Sequence, residues 1–148
     1  MEQVLAVDVG GTKLAAGVVD RSGRLVRRAQ AATAGADADA LFEVLVGVVL
    51  EALDGTDPTV LAGCGVGTGG PMTAGGVAVS PLNIPQWRDF PLRDRLAERL
   101  GLAVWVDNDA KDPQTYVVHL TQSGLGLPDE SYYRDEQYAA VLSAYQPH

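Results

Sequence analysis

At 148 residues the chain is the size of one ordinary domain, which buries about two-thirds of the surface its unfolded form exposes. A formal net charge of −8, with 19 acidic against 11 basic residues, offers no electrostatic footprint for nucleic acid, and no apolar run approaches the roughly 20 residues of a membrane span. The single cysteine, Cys64, excludes an internal disulfide and a cysteine-based zinc site, and its VLAGCGV setting predicts a small buried residue.

Residues 4–7 and 14–19 are apolar runs of strand length, joined by a turn that carries Asp8, Gly10, Gly11, Thr12 and Lys13. The glycines let the backbone turn sharply with its amides pointing outward, and such amides seat an anion. This is not a Walker A loop, which needs four residues between its glycines and a helix after the lysine; here a second apolar run follows Lys13. The expectation is a strand–loop–strand phosphate clamp. Asp8, a carboxylate ending the first strand, suits a hydrated Mg²⁺ held against a phosphate. The bland alternative is a glycine-rich hairpin with a surface Asp and Lys.

Asp20, Arg21, Ser22 and Gly23 supply turn chemistry before Leu25 and Val26, so a three-strand antiparallel start is predicted. Over 37–53, Leu41, Val44, Leu45, Val48, Val49, Ala52 and Leu53 recur at three and four, which predicts a helix capped by Asp37 or Asp39 and ended by Gly55. A strand over 60–66 then delivers the 67–71 loop at its C-terminal end, where open α/β sheets bind ligands. Gly65, Gly67 and Gly70 also spell GxGxxG, but a dinucleotide site requires a helix beginning inside the motif, and Pro71, Gly75 and Gly76 deny it one. Residues 91–100 read as a short helix with Leu92, Leu96 and Leu100 inward and Gly101 ending it. A strand over 102–106 delivers Asp107, Asn108 and Asp109; on the residues alone, an Asn-Asp pair after a strand is more often a helix cap than a base.

The pattern DVGGTK with Gly17 and Asp20, then GVGTGGPM over 65–72, Asn83 with Pro85 and Trp87, and VDNDAK over 106–111, resembles the ROK family of sugar kinases and repressors, in family order and spacing. The resemblance covers residues 1–111. It implies an actin-like ATPase (ribonuclease H-like) N-terminal domain, a mixed sheet with helices, belonging to an enzyme that transfers phosphate from ATP, with Mg²⁺, to a hexose such as glucose. By the same match Asp8, Gly10, Gly11, Thr12 and Lys13 hold phosphate, Gly69, Gly70, Asn83 and Asn108 meet the sugar, and Asp109 both meets the sugar and is the catalytic base. The opposing reading makes Trp87 and Phe90 core plugs and Asn83 a turn residue. A hexose is the implied partner; the acidic balance, an N-terminus MEQVLAVDVGG without a basic leader region and the lack of a long apolar run make the expectation neither nucleic acid nor membrane, and a cytoplasmic location. The family's second phosphate loop, adenosine pocket, remaining sugar ligands and zinc cluster are not found in these 111 residues. The expectation is thus a kinase domain that is inactive by itself, and the alternative is a non-catalytic sugar-binding or interaction module.

All five tyrosines and both histidines, His119 and His148, follow residue 111. From 112 to 148 the sequence, with LTQSGLGLPD and then Tyr132 and Tyr133, resembles a segment from the N-terminal region of neprilysin-like zinc metalloendopeptidases. A fragment of such a peptidase is the third reading, without its zinc site, because HExxH is absent and two distant histidines are not at ligand spacing. This tail is expected to pack poorly. Pro113 is expected to interrupt any helix that Asp109 opens.

Overall fold

The computed structural model describes residues 2–108, so Asp109, the Pro113 junction and the expected poor packing of the tail lie outside the described residues. Within them the chain runs β1 (Gln3–Val9), β2 (Lys13–Asp20), β3 (Leu25–Ala32), α1 (Ala38–Leu53), β4 (Leu61–Thr68), α2 (Leu92–Leu100) and β5 (Val104–Asn108), with short 3₁₀ turns at Pro58–Val60 and Ala74–Gly76. The five strands form one mixed sheet in the order β3-β2-β1-β4-β5. The β1/β2 and β2/β3 pairs are antiparallel, as expected of the opening meander, while β1/β4 and β4/β5 are parallel. Three strands therefore end at the same edge.

The central strands are apolar along their whole length because both of their faces are buried. Leu5, Val7 and Val9 of β1, Leu14 and Ala16 of β2, and Cys64 and Val66 of β4 join α1 and α2 in the main core, and Val4 and Val19 pack with Ala62 in a smaller cluster. Burial in that main core pushes the Cys64 thiol up to about 12, which makes it an inert packing residue. The α1 stripe is wider than its heptad-like spacing predicts: Phe42 and Val46 are buried as well, while Val44 is only partly so. Asp37 caps the helix by accepting from Ala40 N at 2.8 Å, and Gly55 just beyond it has φ +70°, the left-handed region where glycine is favoured.

Strand ends moved by more than sequence patterning could show. β3 continues to Ala32 through Arg27 and Arg28, because an edge strand satisfies its ladder with polar side chains in water. β5 runs past Val106 as far as Asn108, the last described residue, since pairing with β4 carries it through Asp107 and Asn108. After Gly70 the next helix of more than one turn is α2, beginning at Leu92, so the glycine motif lacks the helix that a dinucleotide site requires. Gly63 has its own reason: a Cβ there would lie 2.5 Å from the Trp105 ring.

Candidate functional site

The turn between β1 and β2 is closed by Gly10 N donating to Lys13 O at 3.0 Å. Thr33, just past β3, straps it from the side: its hydroxyl donates to Gly10 O at 2.6 Å and its amide to Thr12 O at 3.0 Å. Gly11 and Thr12 are exposed on this turn, and Lys13 is half-buried as the first residue of β2. Across from the turn stands Asn83. A Cβ on Gly11 would lie 2.5 Å from the Asn83 Cβ, so glycine is what allows the two segments to touch.

On the other side of Asn83 the rim continues without a gap. Leu82 N donates to Gly70 O at 3.3 Å, and Ser80 N to Pro71 O at 2.8 Å. The Gly70 backbone lies against the side chain of Asn108, where an added Cβ would stand 2.5 Å from Nδ2. Asp107 steadies the backbone there by accepting from Asn108 N at 2.7 Å. The structure thus brings Gly10, Gly11, Asn83, Gly70 and Asn108 into one contiguous edge at the C-terminal ends of β1, β4 and β5. Asp8 belongs to the same edge. It is paired in register with Gly67, which is in turn paired with Asp107, so the two carboxylates flank a glycine on one face, about 10 Å apart across two strand spacings.

The segment that presents Asn83 is fixed by its neighbours. Trp87 is fully buried, donates its indole N–H to Ala38 O at 3.1 Å, and stacks on Phe90 with ring centroids 4.6 Å apart. Gln86 Nε2 donates to Gly35 O at 3.0 Å. Arg88 Nη1 donates to Pro81 O, Ile84 O and Trp87 O at 3.1, 2.9 and 2.6 Å. Trp87 and Phe90 are therefore core residues that carry Asn83 rather than meet a ligand. Thr33 and Thr68 belong to this edge too, and sequence reasoning assigned neither a role. Thr33 is recruited by strand pairing that leaves no local signature. Thr68 lies inside the glycine motif and reads as one of its variable residues.

Among the described residues no group of three or more His, Cys, Asp or Glu side chains could hold a metal by itself. A Mg²⁺ carried in on phosphate oxygens needs only one or two carboxylates, and Asp8 beside a turn made open by Gly10 and Gly11 fits that donor set. A cavity of about 330 Å³ lined by Phe42, Arg95, Glu98 and Arg99 involves none of the edge residues.

A sequence profile of peptidase family M13 matches residues 79–148. An N-acetylmannosamine kinase of Yersinia pseudotuberculosis is 35% identical over 111 residues, which cover 75% of this chain and 37% of that protein. The crystal structure of a ROK family glucokinase from Streptomyces griseus in complex with glucose and AMPPNP is similar at 37% identity and a TM-score of 0.64, over 73% of this chain and 33% of that one. A ROK hexokinase from Thermus thermophilus aligns at 34% identity, with a TM-score of 0.64 over 73% of this chain and 35% of that one. The chain thus spans about a third of the length of these relatives.

Proposed function

From the premise that the described residues carry the sequence and fold of the N-terminal region of ROK-family sugar kinases, we propose that they form one wall of a site for ATP-dependent phosphorylation of a hexose. The observation that carries this is the contiguous edge itself: a backbone turn suited to phosphate touches Asn83, whose segment is bonded to the loop that lies on Asn108. On this reading Gly10, Gly11, Thr12 and Lys13 hold the phosphates through outward amides and the Lys13 ammonium. Asp8 would hold Mg²⁺, which when bound neutralises phosphate charge. The Asn83 and Asn108 amides both donate to and accept from sugar hydroxyls, and Gly69 and Gly70 let backbone approach the ring. Asp109, next in sequence, takes the proton of the attacking hydroxyl as its oxygen bonds the γ-phosphorus and ADP leaves.

Phosphoryl transfer needs phosphate and acceptor aligned from both sides of a cleft. The 148-residue polypeptide is accordingly expected to bind glucose weakly and not to turn it over. We place the change to peptidase-like sequence at residue 111. Residues 79–108 fall within the M13 match yet supply β5 and the Trp87 anchor, which supports assigning them to the kinase-like unit. Cytoplasmic location remains part of this proposal; among the described residues no helix is long and apolar enough to cross a membrane.

The test is a thermal-shift titration with glucose alongside a coupled glucose-6-phosphate assay. A saturable shift that Asn108→Ala removes, without turnover, is the expected result. No shift at any glucose concentration would overturn the sugar site, and turnover abolished by Asp109→Asn would show that this wall suffices.

A further inference from the structure

Among the described residues, the Thr68 hydroxyl is the one fully buried side-chain polar atom that has no hydrogen-bond partner. A valine would fill the same space, paired in register with Val9, without an unsatisfied hydroxyl, so packing alone disfavours threonine here. Its place is informative. Thr68 is the last residue of β4, in register between Val9 of β1 and Asn108 of β5 on the helix-covered face. It also directly precedes Gly69 and Gly70, and the Gly70 backbone lies on the Asn108 amide.

We propose that Thr68 is a positioning residue for Asn108: with a hexose bound, its hydroxyl hydrogen-bonds the Asn108 side-chain amide and holds it in the orientation the sugar selects. An asparagine amide presents a donor on one end and an acceptor on the other, and a flip exchanges them. A hydroxyl can donate to Oδ1 or accept from Nδ2, so it secures whichever orientation the sugar selects. Because the hydroxyl is unpaired in the free protein, the bond it gains on binding adds to affinity. This inference rests on the reading of Asn108 as a sugar ligand.

Calorimetric glucose titrations of the wild-type chain, Thr68→Val, Thr68→Ser and Asn108→Ala test it. Thr68→Val should keep or raise the melting temperature of the free protein while weakening glucose binding roughly three- to tenfold. Thr68→Ser, which keeps the hydroxyl but loses the methyl group, should melt lower yet bind within about twofold of wild type. Unchanged affinity in Thr68→Val would overturn the proposal and leave the sugar site standing. Equal weakening in Ser and Val would overturn it in favour of the methyl group. A wild type without glucose binding, or one indifferent to Asn108→Ala, would remove the site and this inference with it.

Discussion

The turn at 10–13 and the segment at 69–90 form one rim, yet they are held in opposite ways. The turn is a backbone object: Gly10 N reaches Lys13 O, and Thr33 adds bonds to two of its carbonyls. The longer segment is held by side chains, with Trp87 sunk in the core and Arg88 gathering three carbonyls. A turn of the first kind tolerates most changes except at its glycines, whereas a connection of the second kind depends on a few anchors far from the ligand.

The largest expected effect breaks the side-chain anchor. Trp87→Ala removes a buried ring and its bond to Ala38 O, and should cost about 3–5 kcal/mol in denaturant unfolding. A loss below 1 kcal/mol would show that the segment is held by something else. Gly11→Ala acts where the two regions meet. The added methyl must displace Asn83, which should lower stability by about 1–3 kcal/mol and weaken any glucose response. Asn83→Gly in the same chain should recover most of the stability but none of the glucose response, and a double-mutant cycle measures that coupling.

A smaller effect isolates the strap. Thr33→Val removes the hydroxyl bond to Gly10 O while leaving the amide bond to Thr12 O, for about 0.5–1.5 kcal/mol. The smallest concerns the next turn. Asp20 accepts from Ser22 Oγ at 2.6 Å, from Ser22 N at 2.9 Å, and from Arg24 N and Nε at 3.1 and 3.3 Å. The Ser22 hydroxyl above all, with these further bonds and against the opposing effect of burial, holds the carboxyl below its ordinary value of 3.8. A depressed folded-state pKa means stability that is present above the unfolded value and lost as pH falls through the folded one. Melting curves below about pH 4 should therefore fall more steeply for the wild type than for Asp20→Asn, and parallel curves would refute the assignment.

How much of this was readable beforehand follows the same division. The 10–13 turn, the Asp37 cap, the presence of α1 and the glycine ending α2 rest on local rules of backbone freedom and periodicity, and they stand where the residues placed them. The ROK-like motifs likewise singled out Asp8, Gly10, Gly11, Gly70, Asn83 and Asn108, which share that edge, but neither Thr33 nor Thr68. What the chain could not show locally is which segments meet. The approach of Gly11 to Asn83, the seat of Gly70 on Asn108, the strap from Thr33 and the unpaired hydroxyl of Thr68 all depend on strand register and on where Trp87 is buried. Composition and periodicity determine which residues leave water and what each backbone stretch can adopt. Contacts between segments separated by tens of residues are decided only when the whole core closes, because each is fixed by packing against groups that no local window contains.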